Sequence, residues 1–283
     1  MVYYLPVFGA VALALGTIFE RIVLRKKKIS IKTYQTASFL AIVTALIPLL
    51  YFFWRMDSAA LGTKNIFIFA LVILFSIIAN LFVFYSLKWE KVGNLEPARV
   101  LEPLFIVLLA IVFSFFAEGL YERNIKVIAP ALVASFALVF SHIKRHHIEF
   151  NRYFIAAVIG SFLFALELVI SRLILDFYSP ITFYFLRSSV IFLISLAIFR
   201  PSFREIEPKT AKMIIATGII WVAYRVIVYY GYIQIGVIST TLILMLGPIF
   251  IYALAYFVLK EKISWRNFVT AIVIVASIIY ALV

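Results

Sequence analysis

The chain consists of long apolar segments separated by short polar ones, and this pattern predicts membrane-spanning helices. A span needs about 20 mostly apolar residues. Breaks at charged or turn-rich positions divide the sequence into ten such runs. Each run is continuously apolar, whereas a membrane barrel strand alternates apolar and polar residues over about ten positions. The ten predicted helices cover residues 3–24, 33–54, 66–87, 97–116, 125–142, 153–175, 180–199, 213–234, 237–259 and 265–283.

The composition supports an integral membrane protein without a soluble domain. Hydrophobic residues make up 65% of the chain and charged residues 14%, against about 45–50% and 25% in soluble domains. The first run lacks the basic residues that begin a secretory signal, so we expect it to be retained as a span. The absence of cysteine excludes disulfides and thiolate metal sites. We therefore predict a multi-pass protein of the cell membrane.

The basic residues predict an orientation rather than a nucleic-acid partner. The net charge is +13, but the Lys and Arg residues fall in short clusters between apolar runs, where no soluble domain can present a basic face. The loops after the odd-numbered runs, together with the adjoining ends of the runs, hold 17 Lys and Arg residues. Those after the even-numbered runs hold four. The positive-inside rule then places the odd-numbered loops in the cytoplasm and both termini outside.

The sequence also repeats itself at an interval of about 145 residues. The repeat predicts two five-helix halves, residues 1–146 and 147–283. Because five is odd, the halves must cross the membrane in opposite directions, which is typical of secondary transporters. The clearest matches pair Tyr85 with Tyr230, Pro103 with Pro248, Glu118 with Glu261, Arg123 with Arg266 and Asn124 with Asn267.

Two stretches carry a resemblance to a known family. "NLEPARVLEPLFIVLLAIVFSFFAEGLYERN" in the first half and "ISTTLILMLGPIFIYALAYFVLKEKISWRN" in the second each have a proline near the start of a span, an acidic residue after it and a small-residue span following. This pattern resembles the EamA family of the drug/metabolite transporter superfamily. The resemblance implies two inverted five-helix repeats around a central cavity lined mainly by spans 1, 3, 4, 6, 8 and 9. Relatives generally have cytoplasmic termini, whereas the charges here predict the opposite, and we follow the charges.

Three ionisable residues lie deep within predicted spans. A charge at the bilayer centre costs about 3 kcal/mol on insertion scales, so Glu167, Arg187 and Arg225 are functional candidates. Glu167 and Arg225 could form an ion pair that locks two helices together or could face a wet cavity. We favour the cavity, because the resemblance places both helices on its wall. Arg187 matches a family arginine, and we expect a structural role. The same is expected of the charges that close spans 1 and 6, which can reach the interface: Glu20, Arg21, Arg172 and Asp176.

The fourth predicted span carries charges beside a helix break. Pro97 suits a first helical turn, and Glu96 before it suits the positive end of the helix. Pro103 cannot bond the carbonyl of Arg99 and therefore breaks the helix. Glu96, Arg99 and Glu102 precede that break within an arc of about 120°, so one wet face can hold all three.

The ninth span breaks at the corresponding place, at Gly247 and Pro248. Paired breaks in two halves are the best sequence indication of a transporter binding site, so Pro103, Gly247 and Pro248 are predicted hinges. In the eighth span, Trp221 and Tyr224 lie too deep for an interfacial belt, and with Arg225 and Tyr230 they are predicted to contact substrate. Tyr232 is assigned to the belt.

The remaining motifs exclude other classes of protein. The histidines His142, His146 and His147 in "SHIKRHHIEF" match no established metal spacing and are read as a solvated loop. No phosphate-binding loop or nucleophile elbow occurs, so an ATP-driven pump or a membrane hydrolase would lack its parts. We predict no enzyme activity, no cofactor and no metal.

The sequence thus predicts a secondary transporter of a small polar, amphoteric metabolite, working by alternating access. Its partners would be a small-molecule solute and the lipid bilayer, with no nucleic acid, and a monomer would suffice. Glu102 or Glu167 is the predicted proton carrier. Two alternatives stay open: a flippase of lipid-linked intermediates with a lateral opening lined by Arg21 and Arg172, and a scaffold with fully paired charges and no cavity. The predicted substrate-binding residues are Arg99, Glu102, Glu167, Trp221, Tyr224, Arg225 and Tyr230.

Overall fold

The computed structural model of the chain describes residues 2–24, 29–90, 92–142, 151–250 and 265–282. Within these residues every regular element is helical, and an isolated antiparallel bridge joins Met56 to Tyr178. Eight of the described helices are long and apolar enough to cross a membrane, and two shorter apolar helices accompany them. The prediction of an all-α, multi-pass membrane protein is therefore confirmed.

The described residues form eleven α-helices, and residues 246–250 are helical as well. Short 3₁₀ turns precede or connect some of these helices. The helices are α1 (Leu5–Leu24), α2 (Ile31–Phe53), α3 (Thr63–Trp89), α4 (Val92–Arg99), α5 (Leu101–Ser114), α6 (Ile125–His142), α7 (Arg152–Arg172), α8 (Pro180–Phe199), α9 (Pro208–Gln234), α10 (Val237–Leu244) and α11 (Trp265–Leu282).

Most predicted spans agree with these helices, but three begin three or more residues earlier than predicted. Helices α3 and α9 start before their predicted spans and include Lys64, Lys209 and Lys212. The span limits had been placed at charged residues, yet a lysine can extend its ammonium group to the interface from inside a helix. The ninth predicted span, 237–259, lies partly outside the described residues.

The fourth span also begins earlier than predicted, because α4 starts at Val92. Pro97 therefore lies inside α4 and not in its first turn, as we had expected. A proline removes one backbone hydrogen bond from a helix but does not prevent a turn before it. Since α4 ends two residues later, that single lost bond is tolerated.

Helix packing relates the two predicted halves. Helix α1 packs against α9 and α3 against α7, while α2 packs against α8, α5 against α10, and α6 against α11. We number the helices within each half and count α4 and α5 together as the fourth helix of the first half. The first helix of each half then contacts the third helix of the other half. The second, fourth and fifth helices each contact their counterparts. Two halves related by a two-fold axis would pack in this way, and the division into 1–146 and 147–283 stays a prediction.

Candidate functional site

Both predicted helix breaks lie in the middle of the structure. Helix α4 ends at Arg99 and α5 begins at Leu101, while α10 ends at Leu244 and helical residues resume at 246. In each half the break comes directly after the residue whose carbonyl the downstream proline, Pro103 or Pro248, cannot bond. Both prolines line the same cavity. Their role as hinges stays a prediction.

That cavity has a mainly apolar wall and a volume of about 130 Å³. Helices α1, α3, α4, α5, α7, α9 and α10 contribute to it, and α6 supplies Leu138. We call it the apolar cavity. Its aliphatic lining includes Leu13, Ile106, Leu138, Leu168 and Leu244.

A second cavity of about 70 Å³ adjoins the first, because Leu13, Arg99, Glu102 and Tyr224 line both. We call it the polar cavity. Helices α2 and α8 join its wall, beyond the spans that the family resemblance implied, and α11 contributes to neither cavity. Its charged and polar lining includes Glu20, Ser38, Asn80, Arg99, Glu102, Tyr184, Arg187 and Arg225.

Glu167 lies behind the polar cavity and holds two of its arginines. The carboxylate is 3.1 Å from Nε of Arg187 and 3.4 Å from Nη1 of Arg225, and it is fully buried. It also accepts a hydrogen bond from the Tyr229 hydroxyl at 3.2 Å. Glu167 is not among the residues lining either cavity. The ion pair that the sequence left open as an alternative is present, and Arg225 faces the cavity while Glu167 does not.

Arg187 and Arg225 are held on several sides. Arg187 donates a hydrogen bond to the Ser76 hydroxyl on α3 at 2.5 Å, and its guanidinium lies over the Tyr184 ring. The Arg225 guanidinium lies between the rings of Phe164 and Tyr224, with its central carbon 5.5 and 5.8 Å from the ring centroids. Such contacts stabilise a buried guanidinium without neutralising its charge. Two arginines thus share one carboxylate.

Glu102 and Arg99 lie at the junction of the two cavities and are only partly buried. The Arg99 guanidinium donates one long hydrogen bond, 3.4 Å, to the Thr17 hydroxyl on α1. Among the described residues, no ion pair or side-chain hydrogen bond of Glu102 is found. Glu102 and Arg99 therefore present charge to the cavities, as the sequence predicted for a wet face.

Comparison with known proteins finds a family match for the second half of the chain. Residues 151–283 match the model of the EamA-like transporter family. This half of the chain is therefore similar to that family. A solved crystal structure with 17% identity aligns over 99% of this chain and 94% of its own, with a TM-score of 0.70. At that identity the likeness shows the fold alone. No curated protein gives a significant match.

The match supports the predicted resemblance to transporters of the drug/metabolite type, and the predicted substrate contacts can now be placed within the fold. Trp221 lines the polar cavity, and Tyr224 lines both cavities. Tyr230 lines neither cavity and is 37% exposed on α9. It follows Tyr229 by one residue, and a step of about 100° per residue turns its side chain away from the buried face. We therefore omit Tyr230 from the candidate site.

The structure adds three cavity residues to which the sequence assigned other roles. Glu20 and Tyr232 were expected at the interface, yet they are 5% and 1% exposed and line the polar and apolar cavities, respectively. Arg187, expected to be structural, lines the polar cavity in addition to pairing with Glu167. Helical spacing could have indicated two of them. Glu20 follows Leu13 by seven residues, and Tyr232 follows Tyr224 by eight, so each shares a helix face with a cavity residue.

The structure places the other charged candidates differently. Arg172 is paired with Asp176 at 2.8 Å and lines neither cavity, whereas Arg21 lines the apolar cavity. Gly247 allows close packing, because a Cβ there would lie 3.0 Å from Leu13. No cluster suited to a metal ion is found among the described residues. The side chains of Glu96, His142, His146 and His147 lie outside what the structure describes.

The two predicted halves of the chain are hydrogen-bonded together at one end. This end carries the loops after α2, α5, α7 and α9, which follow the second, fourth, sixth and eighth predicted spans. We call it the even-loop face. The amide of Asp57 donates to the carbonyl of Phe177 at 2.8 Å, and the amide of Ser179 donates to the carbonyl of Arg55 at 2.9 Å. The Ser179 hydroxyl donates to the Phe53 carbonyl at 2.6 Å.

A second contact on the even-loop face joins Glu122 of the first half to the start of α10. Its carboxylate accepts hydrogen bonds from the amides of Ile238 and Ser239 at 3.1 and 2.8 Å. These amides have no partner within their own helix, so Glu122 acts as its cap. Gly236 makes the approach possible, because its φ is +93° and an added Cβ would lie 2.2 Å from the Glu122 carboxylate.

Proposed function

We propose that this transporter moves a small amphoteric metabolite, such as an amino acid or a derivative, by secondary active transport. The observation that carries the proposal is the pair Arg99 and Glu102. Both side chains lie on the wall of both cavities, and Glu102 has no ion pair with a described residue. A guanidinium suits a carboxylate, and a carboxylate suits an amine. The junction can therefore hold both charges of such a solute.

The balance of charge supports an amphoteric solute over a purely cationic or anionic one. Three arginines and two glutamates line the polar cavity, and Glu167 behind it brings the carboxylates to three. Counted with Glu167, these groups are neutral in sum, and their positive and negative charges are separated. A polyamine would meet three guanidinium groups, and repulsion between like charges would disfavour its binding. The three arginines are Arg99, Arg187 and Arg225.

The same observations weigh against the two alternatives. A flippase was expected to use Arg21 and Arg172 at a lateral opening, but Arg172 is occupied by Asp176 and lines neither cavity. A scaffold was expected to have fully paired charges and no cavity. Two cavities are present in the described part of the chain, and Glu102 faces both.

We propose that the protein works by alternating access, with the halves rocking about the cavities. At the even-loop face the halves are joined by the loop contacts at Asp57 and Ser179 and by Glu122. The apolar cavity instead extends to Arg21 and Leu87, which lie in the last turns of α1 and α3 at the opposite face. The structure would then represent a state closed at the even-loop face.

Transport by the purified protein in liposomes tests the proposal. Labelled amino acids, polyamines, nucleosides and sugar phosphates are offered in turn, with protein-free liposomes as the control. We expect saturable uptake of amino acids or their derivatives and none of the other classes. Uptake of polyamines or sugar phosphates without any amino acid would overturn the proposal, and movement of labelled lipid instead would support the flippase.

Proton coupling is the second part of the proposal, with Glu102 as the carrier. Glu102 faces the cavities and can exchange a proton with a solute or water, whereas Glu167 is enclosed by Arg187, Arg225 and Tyr229. An inwardly directed proton gradient should accelerate uptake, and a protonophore should remove the acceleration. Uptake that is indifferent to the gradient would exclude the proton as coupling ion.

A further inference from the structure

The two adjoining cavities differ in chemistry, and the difference bears on the solute. The polar cavity carries the charges described above, whereas the apolar cavity is aliphatic beyond the shared residues. A polar group placed against an aliphatic wall loses its water without gaining a partner. The apolar cavity is therefore suited to a hydrocarbon group attached to the charged part of the solute. Its aliphatic lining includes Ile106, Leu138, Leu168 and Leu244.

The polar cavity suits a small charged head. Its volume is about 70 Å³, and a water molecule needs at least about 10–15 Å³ by a comparable measure. Room for only a few waters fits an ammonium and a carboxylate on one carbon atom better than the ring of a sugar or a nucleoside.

The charges indicate how such a head would be oriented. Arg225 is 7% exposed, and Glu167 is its only carboxylate contact among the described residues, although the guanidinium carries five N–H donors. Arg187 shares the same carboxylate. Two guanidinium groups with one carboxylate leave donors for an anion, while Glu102 at the junction is available for a cation. The carbon that bears both groups would then lie at the junction, next to the entrance of the apolar cavity.

From this arrangement, and resting on the proposed function, we propose that the solute is an α-amino acid with an apolar side chain. Its carboxylate binds Arg225 and Arg187, its ammonium group binds Glu102, and its side chain occupies the apolar cavity between Ile106 and Leu138. Burial of each methylene group increases affinity about fourfold. Hydrophilic amino acids gain nothing from this cavity.

A homologous series of solutes tests the proposal in liposomes that contain the full-length protein. Glycine, alanine, 2-aminobutyrate, norvaline and norleucine differ by one methylene group at each step. We expect KM to fall about threefold to fivefold per step until the cavity is filled. Serine and glutamate should be transported poorly. If glycine, serine and norleucine are transported with equal KM, the apolar side-chain site is refuted while amphoteric transport stands. If no amino acid is transported, the proposed function fails as well.

Two neighbouring residues of α5 provide matched variants. Ile106 lines the apolar cavity, whereas Leu108 does not and is 42% exposed. Ile106→Phe should raise the KM for norleucine at least tenfold and leave that for alanine within about twofold, and Leu108→Phe should change neither. If Ile106→Phe does not fold, Ile106→Ala enlarges the cavity and should shift preference from norvaline towards phenylalanine. Equal effects of the two phenylalanine variants, or unchanged preference in Ile106→Ala, would overturn the assignment.

Discussion

Glu167 and Glu102 are both carboxylates inside the helical bundle, yet their surroundings differ. Glu167 is fully buried and touches Arg187, Arg225 and Tyr229. Glu102 is partly buried, lines both cavities and has no ion pair with a described residue. The first carboxylate holds side chains in place, and the second is available to a solute. The difference shows that depth in the membrane identifies a costly charge but does not reveal whether the charge is structural or functional.

The helices around the two residues account for the difference. Glu167 lies in the continuous helix α7, packed against α3 and α5. Glu102 lies in the first turn of α5, immediately after the break at Val100. Unpaired backbone groups at such a break need water or a polar partner. A charge beside a break therefore tends to face a cavity, whereas a charge within an unbroken, packed helix needs a partner from a neighbouring helix.

The largest expected effect is that of Glu167→Gln on folding. The substitution leaves two buried guanidinium groups without a carboxylate, and breaking a buried ion pair typically costs about 3–5 kcal/mol. We expect a large fall in melting temperature and in monodisperse yield, measured by thermal unfolding in detergent. Glu118→Gln is the control, because that side chain is 86% exposed and its ion pair with Arg123 is long, at 3.8 Å. Equal melting temperatures of Glu167→Gln and wild type would contradict the structural role.

Glu102→Gln should reverse this pattern. The side chain has no ion pair to lose among the described residues, so the melting temperature should change little. A charged hydrogen bond to the solute contributes about 1.5–3 kcal/mol, which corresponds to about a 10- to 100-fold loss in kcat/KM for an amino acid. Liposome uptake and thermal unfolding of the same preparation measure both quantities. A stable Glu102→Gln protein with wild-type uptake would remove Glu102 from the site.

Tyr229→Phe sharpens the comparison with a smaller change. It removes the hydroxyl that donates to Glu167 at 3.2 Å, and a hydrogen bond to a charged group contributes about 1.5–3 kcal/mol. We expect a fall of several degrees in melting temperature. Tyr230→Phe is the matched control on the adjacent residue, which lines neither cavity. Similar effects of the two variants would argue against a specific role of the Tyr229 hydroxyl.

The smallest expected effect is that of Pro103→Ala. The variant can restore the backbone bond to the Arg99 carbonyl and join α4 to α5, which would restrict motion beside Glu102. We expect a severalfold lower kcat for uptake, with stability unchanged or increased. Pro48→Ala is the control, since Pro48 also lies inside a helix but lines neither cavity. If both variants transport equally well, the break is not a hinge.

The sequence predicted the helices more accurately than the site. Long apolar runs located the spans because a bilayer imposes a minimum length of apolar helix. The paired prolines located both breaks, since a proline removes a defined backbone bond. Arg99 and Glu102 were assigned to one face near the break from helical spacing, which is local information, and both line the two cavities. The sequence assigned Tyr230 to the site and Tyr232 to the interface, whereas Tyr232 lines a cavity and Tyr230 lines neither. Neighbouring aromatic residues give no local indication of which one faces the interior.

The sequence by itself determined the class of protein, the approximate spans, the breaks and the family resemblance, because these depend on local composition and on spacing along one helix. Only the tertiary structure decided the roles of the deep charges. It showed that Glu167 pairs with arginines from two other helices, that Arg187 faces the polar cavity, and that Tyr232 lines the apolar one. Contacts between helices far apart in the chain decide whether a buried charge has a partner, and an amphipathic pattern cannot supply that information when nearly every face is apolar.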